Sequence, residues 1–352
     1  MKKQFLSVTY LILLASCLTA CGSKAYEVHT DKQLSYINDS DYKSINSYAC
    51  GASNTGDPKE MPLSFKANAD NQVIVISKNE DLSSPVIIDN ITSTHKMYNV
   101  YNLESGEYYY YGVGKADGSH YTAKGNINIK DTYPRVIYAE GVKNIRDLAS
   151  KDNIKQGLLY RGGEFDYYQS RMRSTITNNG IKRLTNHLGI KTEIDLRDND
   201  AAKGTSSALG SSVNFIHIPM YFKGTDGENV LTTVNETYNN PEAIKEVLNT
   251  LADSNNYPIY FHCAKGKDRT GIISFIVKAI LGDDFDTIMK DYCWSNFAYE
   301  LSVDYQDVLD TYYQTFNAVS GATLKDKVYT YCSSTLGVET SKLNSIISIL
   351  SK

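Results

Sequence analysis

The chain has one tryptophan and seven prolines in 352 residues, and its six cysteines form no C-x-x-C pair. The missing C-x-x-C pairs exclude a zinc ribbon or a thioredoxin-like centre, and the cysteines at 17, 21, 50, 263, 293 and 332 follow no metal-ligand spacing. Charge of one sign is also missing: 36 Lys plus Arg stand against 40 Asp plus Glu, so no broad basic surface offers itself to nucleic acid. Beyond the first twenty residues there is no apolar run of membrane-spanning length. What remains is an ordinary globular composition, 41% hydrophobic and rich in tyrosine, long enough for two domains.

Residues 1–20 carry two lysines, then an apolar stretch from Phe5 to Leu18 and small residues before Cys21, the layout of a signal peptide. Leu18-Thr19-Ala20-Cys21-Gly22 resembles the bacterial lipobox. That resemblance implies cleavage before Cys21, lipid on that cysteine and an exported protein anchored to a bacterial membrane. Residues 21–58 are polar and are expected to be the lipidated N-terminus and a tether, contributing at most one strand to the neighbouring domain. Export permits one disulfide, but Cys50, Cys293 and Cys332 are expected as buried thiols.

Residues 59–133 alternate in short segments (LSFKA, VIVIS, PVIID, MYNVYNL, YYYYGVG and KGNINIK) separated by Asn, Asp, Gly and Ser, which predicts a small all-β sandwich. Within it, Leu103-Glu104-Ser105-Gly106-Glu107-Tyr108-Tyr109 resembles the tyrosine corner of fibronectin type III domains, with Tyr109 as the corner tyrosine. From 134 to 352 strands alternate with helical stretches, predicting an α/β domain with a central, mainly parallel sheet flanked by helices. Buried strands are expected at TEIDLR, FIHIPM and YPIYFHC, and helices at 178–189, 241–253 and 269–282.

The chemistry concentrates in YFHCAKGKDRTG, residues 260–271. Cys263 stands where an apolar strand ends and Arg269 where an apolar helix begins, with a glycine-containing loop between. Backbone N–H groups in such a turn, the positive end of the helix and a guanidinium together suit an oxyanion, and the same field favours a thiolate. Phosphate is the anion that fits, with Cys263 as nucleophile and no cofactor or metal required. Ala264, Lys265, Gly266, Lys267, Asp268 and Arg269 would line the phosphate site. Lys265 and Lys267 add positive charge for a substrate with several phosphates, or are solvated loop lysines.

His262-Cys263 followed by Arg269-Thr270-Gly271 resembles the HC-x5-R-[ST] loop of cysteine-based protein tyrosine phosphatases, and the Gly-Lys-Asp-Arg-Thr-Gly ending looks like their bacterial tyrosine/phosphoinositide subgroup. NIRDL (144–148), LYRGG (159–163) and IDLR (194–197) extend the likeness over about 135–352. The resemblance implies a cysteine-dependent phosphatase of dual-specificity or lipid type, with a phosphorylated protein, phosphoinositide or inositol phosphate as substrate. It makes His262 a loop-shaping and thiol-tuning residue, Thr270 a hydroxyl that assists the leaving thiolate, and Gly266 and Gly271 points of close backbone approach. An acid on a loop after Trp-Pro is absent, since Trp294 follows the active-site loop; Asp268 is the first candidate acid, and Asp226 in KGTDGEN the second. Arg146, Asp147, Arg161, Asp195 and Arg197 read as a salt-bridged scaffold. Competing readings are a phytase-like inositol polyphosphate phosphatase, sulfur transfer of the rhodanese kind, and a surface binding protein with a vestigial phosphatase domain.

Overall fold

The computed structural model describes residues 25–49, 56–65, 70–115, 120–121, 123–166, 175–198, 206–222, 229–299 and 312–352. The signal segment, Cys21, Cys50 and Asp226 lie outside the described residues. Among those described, no helix is long and apolar enough to cross a membrane.

Six strands occupy the stretch expected to be all-β: β1 (Met61–Ser64), β2 (Gln72–Ser77), β3 (Ile87–Ile91), β4 (Met97–Val100), β5 (Tyr108–Lys115) and β6 (Ala123–Asn128). Antiparallel pairing builds a four-stranded sheet in the order β3-β2-β5-β6 and a two-stranded ribbon of β1 and β4. Every residue of β2 is buried, because the strand is central and covered on both faces. Ile74 and Ile76 face a core with Met61, Val100 and Tyr109, while Val73 and Val75 pack with Leu82 on the other side. The Tyr109 hydroxyl accounts for its own burial by accepting from the Glu104 amide at 3.0 Å. The run of four tyrosines divides as alternation requires, with Tyr109 buried and Tyr108 exposed.

Residues 31–49, expected as tether, are instead built into the molecule. The helix α1 (Asp31–Asn38) starts with a capping box between Thr30 and Gln33. Tyr36 from α1, with Ile45 and Ala49 from α2 (Ile45–Ala49), enters the main core, Tyr36 lying against Trp294 and Phe297. Four apolar side chains dispersed among polar ones were enough to dock two short helices, which a reading of bulk polarity misses. One backbone bridge, Tyr26 to Ile129, supplies the added strand pairing.

The second sheet has the order β10-β9-β11-β8-β7, formed by β7 (Arg146–Asp147), β8 (Leu159–Gly162), β9 (Thr192–Asp195), β10 (Asn214–His217) and β11 (Ile259–His262). Four strands are parallel and β7 is antiparallel at one edge. FIHIPM, expected as a buried strand, forms the other edge and is only partly covered, because it has one neighbour rather than two. The helices α3 (Asn178–Lys182), α4 (Asn240–Leu251), α5 (Asp268–Leu281) and α6 (Phe285–Cys293) flank the sheet, α5 being buried along almost its whole length and stopped by Gly282 in the left-handed region. Arg135 ties the two sheets together: it donates to the Leu103 carbonyl at 3.2 Å and pairs with Asp147 at 2.8 Å.

Candidate active site

Strand β11 lies between β9 and β8 with all four residues fully buried, so its carboxyl end opens where α/β sheets place their ligands. The chain leaves β11 at His262, turns through residues 263–267 and re-enters as α5 at Asp268. No side chain caps this helix start. Its first-turn N–H groups are therefore available to an acceptor from outside the protein.

What aims the loop is the treatment of its carbonyls. The Glu164 amide donates to the Ala264 carbonyl at 3.2 Å, and the Tyr299 hydroxyl to that of Lys265 at 2.8 Å. Asn144 Nδ2 reaches the carbonyls of Lys265 and Gly266 at 2.9 and 3.2 Å, and Arg161 Nη2 that of Gly266 at 2.8 Å. With the oxygens held from outside, the amides of the turn face its interior, the nest arrangement that binds anions. Gly266 makes this possible at φ +67°, where an added Cβ would lie 2.1 Å from the Gly162 carbonyl oxygen.

The residues doing this holding are themselves locked. Asp291 accepts from Arg146 Nε at 2.7 Å and Arg161 Nη1 at 2.6 Å, all three buried. Arg146 also donates to Asn144 Oδ1 at 2.7 Å, fixing the amide that grips the loop. Asp291 is held well below the ordinary carboxylate range: burial opposes its charge, but the two guanidiniums and Lys278 outweigh burial. NIRDL and LYRGG thus act as scaffold, as does IDLR, whose Asp195 and Arg197 pair at 2.7 Å. Asp147 serves the junction with the β-rich part through Arg135.

Cys263 is reduced and 3% exposed at the base of the turn. Burial raises its pKa, yet the charge of Arg269 and hydrogen bonds from the Thr270 hydroxyl and amide bring it below the ordinary thiol value. The Thr270 hydroxyl has no oxygen or nitrogen partner among the described residues, which leaves it to the sulfur. Arg269 is 8% exposed; its Nη1 donates to the Met220 carbonyl at 3.0 Å and lies 3.4 Å from Asp198 Oδ2.

His262 lies behind the sulfur, with Nε2 3.0 Å from Glu193 Oε1 and Nδ1 3.3 Å from the Cys263 carbonyl. Burial lowers its pKa, but Asp195 and Glu193 raise it by more, so the ring is biased towards imidazolium. Glu193, Asp195 and His262 could together ligate a cation by distance. Their donor atoms are already engaged, Glu193 with His262 and Ser207 and Asp195 with Arg197, so the cluster is occupied by protein cations.

Asp268 stands at the mouth of the loop, accepting from the Tyr292 hydroxyl at 3.3 Å with Lys267 Nζ 3.7 Å away. Gly271 packs on Tyr292, whose ring carbon would be 2.8 Å from an added Cβ. The structure therefore brings His262, Cys263, Asp268, Arg269 and Thr270 together. Sequence reasoning assigned no part to Asn144, Glu164, Asp198, Asp291 or Tyr299. Asn144 lay inside a noted motif, whereas the others are single residues far from the loop in sequence and carry no local signal.

A model of the tyrosine phosphatase family matches residues 137–351. A tyrosine-protein phosphatase of Nostoc commune is 28% identical over 120 residues, a stretch covering 31% of this chain and only 41% of that relative. Among solved structures, the core catalytic domain of the PP-IP phosphatase SIW14 from S. cerevisiae in complex with citrate aligns at 14% identity and a TM-score of 0.30, over 55% of this chain and 94% of that one. A Siw14 catalytic core aligns at 15% identity and a TM-score of 0.35, over 60% and 97%.

Proposed function

The chain belongs to the tyrosine phosphatase family, and from that premise we propose that it hydrolyses phosphate monoesters through a cysteinyl-phosphate formed on Cys263. The observation that carries this reading is a buried thiol with a lowered pKa beneath a turn whose carbonyls are all tied from outside. Cys263 Sγ attacks phosphorus as the bond to the departing oxygen breaks, while loop amides and Arg269 take the charge on the three equatorial oxygens. Asp268 protonates the departing oxygen. Water then attacks the thiophosphate, releasing inorganic phosphate and the thiolate, which the Thr270 hydroxyl stabilises.

For substrate we propose phosphotyrosine proteins or phosphoinositides, with Lys265 and Lys267 drawing in multiply phosphorylated groups; release of phosphate from inositol polyphosphates is the second reading, favoured by the same two lysines. We further propose an exported lipoprotein held by Cys21, with a fibronectin type III-like domain ahead of the catalytic one. Its support is the lipobox-like sequence and the Tyr109–Glu104 hydrogen bond. Tyr26 is already paired to the sheet, so the lipid would stand at most about 18 Å of chain from folded protein.

Hydrolysis of p-nitrophenyl phosphate, inhibited by vanadate, is expected to fall at least about 10⁴-fold in Cys263→Ser. Equal turnover by that variant would refute the nucleophile. Asp268→Asn should lose far more rate on a phenyl phosphate with a poor leaving group than on p-nitrophenyl phosphate; equal losses would remove Asp268 as the acid. Comparing phosphate release from phosphotyrosine peptides, phosphoinositides and inositol hexakisphosphate separates the substrate readings.

A further inference from the structure

A cavity of about 360 Å³ lies away from the catalytic turn, between α1, the segment 131–134 and helices α5 and α6. Its size suits a small-molecule ligand. Tyr36 and Trp294, both buried, give it an aromatic wall, and Pro134 adds apolar surface.

The charges around it are unusual for a packing defect. Lys278 is the sole charged side chain in the interior of the otherwise apolar helix α5 and is 3% exposed. Its ammonium group donates to the Leu148 carbonyl at 3.2 Å and pairs with Asp283 at 2.9 Å. Lys290 donates to the carbonyls of Ile37, at 2.9 Å, and Asp39. Each ammonium carries three donors, and two are used in each case among the described residues. Asp291 also lines the cavity, but two guanidiniums already share it, which leaves that corner net positive.

We propose that this cavity binds a small organic anion, its flat apolar body against Tyr36 and Trp294 and its carboxylate or phosphate head on Lys278 and Lys290, and that its occupancy is felt at the catalytic turn. The route is short and material. Asp291 in the cavity wall holds Arg161, and Arg161 holds the Gly266 carbonyl that helps orient the loop amides. An anion arriving beside Lys278 and Lys290 competes with Asp291 for the same positive field and so changes the grip on Arg161.

Trp294 is the chain's only tryptophan, so its emission reports on this cavity without a label. The probe is benzoate, added to the full-length protein with saturating vanadate in the catalytic turn, and emission is excited in the tryptophan band. A saturable change is expected. Lys290→Met should weaken it about tenfold, the scale of losing one charge-assisted contact. Thr287→Phe, a substitution at the exposed rim that fills the entrance, should abolish it while leaving the melting temperature near that of the parent. Emission that does not change saturably, or a change that neither folded variant weakens, overturns the site. Without vanadate, benzoate should alter turnover of p-nitrophenyl phosphate in the parent and not in Thr287→Phe; unaltered turnover at concentrations that saturate the emission change overturns the coupling. The emission readout needs no catalysis, so failure of the phosphatase reading and failure of this site are told apart.

Discussion

The two sheets of this protein solve burial in opposite ways. Among the described residues from 59 to 131, none that is buried carries a charge; the core is Ile, Val, Leu, Met and Tyr, with Gln72, Ser77 and Ser105 the buried polar exceptions. In the parallel sheet Arg146, Arg161, Glu164, Asp195 and His262 are wholly buried within a few residues of one turn. Burying charge is expensive and gains little stability over well-packed apolar groups. Its concentration under residues 263–269 indicates that the lower sheet retains charge to hold one loop in one shape, whereas the upper sheet needs only to pack.

The comparison is broken most forcefully at Asp291. Replacing it in Asp291→Asn leaves Arg146 and Arg161 buried without a counter-charge, and a loss of about 3–5 kcal/mol is expected in denaturant unfolding, with activity falling as well. A loss below about 1 kcal/mol would mean that the charges in the lower sheet are tolerated rather than required. Gly266→Ala should cost less stability, about 1–3 kcal/mol, because strain and the clash with Gly162 are confined to the turn. Its turnover should nevertheless collapse, which separates aiming from folding.

A pH experiment sharpens the same contrast. His262 has its folded pKa raised by Asp195 and Glu193, so the stability it contributes is complete below its unfolded value of about 6.5 and declines as pH rises through the higher folded value. Melting curves between pH 6 and 9 should show that decline in the parent and a shallower one in Glu193→Gln. The smallest effect belongs to the upper sheet. Tyr109→Phe forfeits one hydrogen bond to the Glu104 amide and should cost about 0.5–1.5 kcal/mol, with p-nitrophenyl phosphate turnover unchanged.

Legibility in the sequence divides along the same line. Strands β2, β5 and β6 were readable because alternation and turn residues are local signals, and the catalytic turn was readable because its strand, nucleophile, glycine and arginine are contiguous. The docking of α1 and α2 was not readable, since it depends on Trp294 and Phe297, some 250 positions away. Nor were Asp291 and Tyr299 readable, because each acts only through a partner brought near by the fold. Strand β8 went unassigned for a related reason: its LYRG is half polar, and only the buried pairing of Arg161 with Asp291 makes that composition suitable for a central strand.

The central claim is that Cys263 becomes covalently phosphorylated within this turn. Rapid acid quench of the protein during turnover of p-nitrophenyl phosphate, with peptide mass analysis of the quenched sample, tests it most directly. One phosphoryl group is predicted on the peptide containing Cys263, formed and discharged fast enough to account for turnover and absent in Cys263→Ser. Turnover that proceeds with no phosphate on Cys263, and that survives in Cys263→Ser, would contradict the account.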